Sequence, residues 1–135
     1  MRFFTTKYSD GQNFASDASI IRISEIYLTR AEANFRASTN IGDNPLNDVN
    51  KIRLRAGLSN LATLTLNQIL NERRKELCFE GHRRMDLLRN NLPLRSVGLP
   101  QAAISAPGQN KVILPIPQRE IDLSIGKVLQ QNSGY

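Results

Sequence analysis

Tryptophan is absent from these 135 residues, and cysteine and histidine occur once each, as Cys78 and His82. A lone cysteine cannot close a disulfide within the chain, so the redox compartment is left open. Cys78 and His82 stand four apart, within reach of one another on a helix, yet a zinc site takes three or four ligands. The reading is no metal and no cofactor. No apolar run approaches the roughly 20 residues that a membrane span needs. Met1 to Lys7 has neither a long apolar stretch nor a lipid-attachment cysteine, so the chain as it stands shows no export or anchoring signal. Also missing are a phosphate-cradling glycine loop, a Gly-x-Ser-x-Gly elbow and a Cys-x-x-Cys pair.

What is present is an ordinary apolar share, 40%, which excludes global disorder. Eighteen Lys and Arg against twelve Asp and Glu leave a net charge of +6. Arg53, Arg55, Arg73, Arg74, Arg83, Arg84 and Arg89 could reach phosphates. They alternate with acids, however, and no aromatic stacking faces accompany them, so a solvated surface is favoured and no nucleic-acid partner is expected.

Residues 1–19 read as an extended lead-in, with a turn at Asp10-Gly11. A first helix is predicted from about Ile20 to Ala37, with Ile20, Ile23, Tyr27, Ala31 and Phe35 on one face and Leu28 beside them. Arg22, Glu25, Thr29, Glu32 and Arg36 fall opposite, and Glu32 and Arg36 are spaced for a surface ion pair. Asn44-Pro45 reads as an N-cap followed by proline at the first helical position, opening a second helix to about Ala56. Leu46, Val49, Ile52 and Ala56 supply its stripe, and Gly57 ends it. A short polar loop between these helices predicts an antiparallel pair. Thr65 and Gln68 form a capping box that opens a long third helix, running to about Asn90. Leu66, Ile69, Leu70, Leu77, Met85 and Leu88 share its apolar face. Gly81 falls there too, where a missing side chain permits close helix approach.

From Asn91 on, prolines and glycines exclude another long helix before about residue 118. Lys111 to Ile116 suggests a short strand and Pro117 to Leu123 a helical turn. Tyr135 either docks or frays, fraying being the commoner fate of chain ends. The fold class is therefore mainly α: a three-helix core over 20–90 and an irregular, loop-rich tail over 91–135, all in one domain.

The third helix carries the most informative charges. Arg73, Glu80 and Arg84 lie inside its apolar arc and Glu76 borders it. Charges there must pair or reach a wet groove. Glu80 precedes Arg84 by one turn, a spacing suited to pairing. The expectation is a partly buried ion-pair network of Arg73, Glu76, Glu80 and Arg84 that seats this helix. An acid–base site of Glu76, Glu80 and His82 is the competing reading. It needs a concave pocket and supporting groups for which the sequence gives no sign, so no catalytic residue is assigned.

These blocks resemble a known family. Ile21-Arg22-Ile23-Ser24-Glu25-Ile26-Tyr27-Leu28-Thr29-Arg30-Ala31-Glu32-Ala33 is similar to the "I-R-hydrophobic-A-E" helix of the SusD/RagB family. Lys51-Ile52-Arg53-Leu54-Arg55-Ala56-Gly57-Leu58 is similar to its "R-x-R-A-G-L" segment. Glu72 to Arg89 resembles its "E-R-x-x-E-L-x-x-E-G-x-R-x-x-D-L-x-R" block. Pro115-Ile116-Pro117, Glu120-Ile121 and Gln131-Asn132-Ser133-Gly134-Tyr135 resemble its closing motifs. Arg84-Met85 departs from a usual aromatic pair, and Ser133 from a usual proline.

The resemblance implies a non-catalytic, all-helical, tetratricopeptide-like scaffold. It implies an outer-membrane lipoprotein that captures glycans or other nutrients beside a SusC-like TonB-dependent transporter. It also implies that this chain is the carboxy-terminal part of a longer protein, with the lipid anchor upstream. Such a part, taken alone, would expose apolar surface and self-associate. The competing reading is a helical protein–protein interaction module without glycan binding. Sugar stacking needs exposed aromatics. Tyr27 and Phe35 point into the predicted core, and Tyr8, Phe14 and Tyr135 stand in no motif, so no ligand-binding residue is assigned.

Overall fold

The computed structural model describes residues 7–8, 20–95, 103–124 and 128–135; Phe14 and most of the 1–19 lead-in lie outside them. Every regular element among these residues is helical: α1 (Ile23–Ala37), α2 (Pro45–Arg55), α3 (Leu66–Glu76), α4 (Arg83–Arg89) and α5 (Gln118–Leu123), with 3₁₀ turns at Ala103–Ser105 and Asn110–Val112. The chain divides into two compact units, Met1–Arg83 and Arg84–Tyr135, where the sequence pattern predicts one domain with its tail starting after Asn90.

In the first unit, Leu28 and Ala31 of α1, Val49 and Ile52 of α2 and Ile69 of α3 form the core, with Tyr27, Phe35, Leu61 and Leu64 packed around them. The directions of the helices follow from which residues meet. Arg30 binds Asp48, and farther down α1 the Tyr27 ring lies under Lys51. As the α1 number falls the α2 number rises, so the two helices are antiparallel. Thr29 meets Arg73 and Arg22 meets Glu76, which sets α3 antiparallel to α1 as well.

The buried stripe of α1 differs from the expected one. It runs through Ser24, Leu28 and Ala31, while Ile20 and Ile23 are 90% and 70% exposed. The helix starts at Ile23, because Arg22 is extended (φ −123°) and turned toward the end of α3. Glu32, expected on the solvent side, is buried and receives Arg36 at 2.9 Å.

Local signals decide the other helix ends. Asn44 accepts the Leu46 N–H at 2.8 Å, with Pro45 in the first turn of α2. Gly57 takes φ +73° after α2, and Leu58 N–H reaches back to the Arg53 carbonyl. Thr65 and Gln68 make both bonds of a capping box.

The long third helix is not continuous. It ends at Glu76, turns through residues 77–82 and resumes as α4 at Arg83. Phe79 (φ +66°) and Gly81 (φ +81°) both adopt left-handed backbone in this turn. A Cβ on Gly81 would meet nothing within 4 Å, so this glycine serves the backbone reversal and not close helix approach.

In the second unit, α4 buries Asp86 and Leu87, and Arg89 closes on Asp86 at 2.8 Å. The short strand expected over Lys111–Ile116 is not formed. Asn110–Val112 is a 3₁₀ turn and the following residues are extended without a strand partner. Side chains of the closing segment take the place of that partner. Gln131 both accepts from the Ile116 N–H and donates to its carbonyl, Asn132 donates to the Leu114 carbonyl, and Tyr135 donates to the Ile113 carbonyl. Tyr135 is therefore docked, with Lys111 3.5 Å above its ring.

Candidate functional site

The densest set of charges lies where α3 ends. The last carbonyls of a helix have no partner within it and present partial negative charge. Here cations meet them. Arg22 donates to the Glu76 carbonyl at 3.0 Å, and Lys7 donates to the carbonyls of Glu76 and Cys78 at 3.1 and 2.9 Å. Two carboxylates complete the set. Glu80 takes Arg22 through two bonds, Nε to Oε2 at 2.9 Å and Nη2 to Oε1 at 2.8 Å, and also receives Lys7. Glu76 receives Arg22 at 3.0 Å and Arg55, at the end of α2, at 2.6 Å. One cluster thus ties the start of α1 and the end of α2 to the turn that follows α3.

The electrostatics follow from this geometry. The Glu80 side chain is only 7% exposed. Burial alone pushes its carboxyl up, but hydrogen bonds from Arg22 and Lys7 and their charges outweigh that and hold it below the ordinary value. The Arg22 guanidinium is raised, chiefly by its bond to Glu80.

Of the four residues expected to form a network, the structure brings Glu76 and Glu80 together around Arg22. Arg73 is buried and donates to the Thr29 hydroxyl at 2.9 Å. Arg84 donates to the Val112 carbonyl. The expected Glu80–Arg84 pairing rests on a continuous helix, and the turn at 77–82 removes the one-turn spacing it needs. Lys7, Arg22 and Arg55 have no local signal as partners, because their contacts lie 73, 58 and 21 positions along the chain. The same turn removes the helical spacing of Cys78 and His82. Cys78 is exposed, and His82 Nδ1 stands 3.7 Å from Glu25. Among the described residues no three His, Cys, Asp or Glu side chains gather as metal ligands, and no helix is long and apolar enough to cross a membrane.

Two further clusters do similar work. Arg53 bridges Glu72 at 2.6 Å and the Ser59 carbonyl at 2.9 Å, joining α2 to α3. Arg30 grips fully buried Asp48 through two bonds of 2.8 and 2.7 Å, joining α1 to α2. Each charged cluster is spent on holding helices in register. This is the chemistry of an α-helical scaffold built from antiparallel pairs.

The chain belongs to the SusD family: the family's sequence model matches residues 1–135. It is 30% identical over 128 residues to starch-binding protein SusD of Bacteroides thetaiotaomicron, a match covering 89% of this chain and 22% of that protein. Among solved structures, a SusD superfamily protein from the same species is 35% identical with a TM-score of 0.65, covering 90% of this chain and 29% of that one. Surface glycan-binding protein A from Bacteroides uniformis is 28% identical with a TM-score of 0.65, covering 97% of this chain and 31% of that one. The chain therefore spans less than a third of the length of these relatives.

Proposed function

We propose that this chain is the carboxy-terminal, mainly scaffolding part of a non-catalytic nutrient-capture lipoprotein on the outer face of the outer membrane. The whole protein takes up glycans and hands them to a SusC-like TonB-dependent transporter. The observation that carries this reading is the family match across residues 1–135. The names of its relatives, starch-binding and surface glycan-binding, point to glycans as the nutrient class. Ile20, Ile21, Ile23 and Ile26 are exposed around the start of α1. Such a patch is consistent with further helices of a longer chain covering it, and it leads to self-association of this chain alone.

The test is made on the whole protein, expressed from its gene together with any neighbouring transporter gene. Titration with neutral oligosaccharides is expected to release or absorb heat saturably, and the transporter is expected to co-purify. A whole protein that binds neither glycan nor transporter overturns the reading.

A further inference from the structure

The loop from α1 to α2 leaves a shallow groove of about 450 Å³ on the first unit. That is within the size of small-molecule sites, which run to roughly 300–1,000 Å³. Among its lining residues Phe35, Leu46 and Leu64 are half-buried and form a carbon floor, and Ser38, Asn40 and Asn44 are exposed and form the rim. No charged side chain lines it, in a chain that carries eighteen Lys and Arg. A phosphate or carboxylate ligand would find no counter-charge there, so the groove suits a neutral one.

The groove is held in shape before any ligand arrives. Asn34, buried in its wall, donates to the carbonyls of Ile41 and Asp43 at 3.0 and 3.1 Å. Its own oxygen accepts from the Thr39 hydroxyl and the Ile41 N–H at 2.8 and 3.1 Å. The Asn44 oxygen is occupied by the Leu46 N–H, which leaves its NH₂ group for the rim. Hydroxyl and amide groups on a rim both donate and accept. That matches the vicinal hydroxyls of a sugar, whose C–H face seats on aromatic and aliphatic carbon.

We propose that this groove binds one neutral sugar ring of a glycan, with Phe35 and Leu46 beneath the ring and Ser38, Asn40 and Asn44 bonding its hydroxyls. The proposal rests on the glycan-capture reading above and adds to it a contact on this part of the chain.

The test uses the whole protein and the double variant Ser38→Gly with Asn40→Ala. Both positions are exposed, and Ser38 already has φ +53°, where glycine is unstrained, so the variant keeps the fold, as an unchanged melting temperature will verify. Each is run through native gels containing starch, xylan or mannan, with polygalacturonate as the charged control. The expected result is about fivefold weaker retention of the variant on whichever neutral polysaccharide holds the wild type, the equivalent of a net hydrogen bond lost. Equal retention of both proteins overturns the subsite, as it would if another segment of the whole protein filled the groove, and leaves glycan capture standing. A wild type retained on no neutral polysaccharide overturns glycan capture and the subsite with it.

Discussion

Arg22, the residue just before α1, grips Glu80, 58 positions later, through two parallel hydrogen bonds of 2.9 and 2.8 Å. The placement is electrostatically lopsided. A cation at the start of α1 opposes that helix's dipole, whereas the same cation favours the carbonyls that end α3. The two carboxylates settle the balance. A fork-shaped guanidinium serves here where an ammonium would not, since it binds Glu80 twice and still reaches Glu76 and a backbone carbonyl.

Removing one partner of such a pair leaves the other with only part of its compensation, since Arg22 keeps Glu76 and Glu80 keeps Lys7. Glu80→Ala is expected to cost about 3 kcal/mol, the low end of the range for buried pairs because Arg22 keeps some contact with water. Arg22→Ala should cost a similar amount, and the double variant much less than the sum. Urea denaturation of all three measures this. Additive losses would show that the two residues do not act together.

The same carboxyl makes stability depend on acid. Its folded value lies below the ordinary 4.5, so its contribution is complete above pH 4.5 and disappears as the pH falls through the lower folded value. Denaturation midpoints from pH 6 downward should fall more steeply in the wild type than in Glu80→Gln, which has no proton to gain. Parallel curves would place the acid-sensitive group elsewhere.

How much was legible in the sequence follows from how local each signal is. The Thr65–Gln68 capping box, the Asn44–Pro45 start and the Gly57 stop each act within a few residues, and all three could be read off. The apolar period of the third helix runs on past Leu77, so the break there was invisible. Its causes are backbone at Phe79 and Gly81 and cations from distant positions. Glu76 and Glu80 could be recognised as charges in need of partners, but the identity of the partners lies in the tertiary fold. In α1, likewise, Ser24, Leu28 and Ala31 are buried while Ile20 and Ile23 are exposed, a choice set by the helices packed against it and not by its apolar period.

Ser24 carries a cost with no visible return. Its side chain is buried, 2% exposed, and its oxygen is the one such atom among the described residues without a hydrogen-bond partner. An unsatisfied buried hydroxyl costs about 1–3 kcal/mol. Alanine removes it and also raises helix propensity. Ser24→Ala is expected to raise the melting temperature by several degrees, on the scale of about 4–8 °C per kcal/mol for small domains. A lower melting temperature would mean that the hydroxyl has a partner in solution, such as a water.

The closing segment offers a test confined to the second unit. Gly134 has φ +93°, and a Cβ there would come within 2.6 Å of the Asn110 side chain. Its carbonyl accepts Lys111 at 2.7 Å, and the neighbouring Tyr135 and Asn132 hold the Ile113 and Leu114 carbonyls. Gly134→Ala therefore strains the backbone by about 1–3 kcal/mol and pushes on Asn110 as well. The expected outcome is faster amide hydrogen exchange across residues 110–116, with exchange in α1 and α2 unchanged. Tyr135→Phe separates the strain from the loss of one bond. It removes the hydroxyl and keeps the ring under Lys111, so exchange should rise less than in Gly134→Ala. If neither variant alters exchange over 110–116, the closing segment does not hold that backbone in solution.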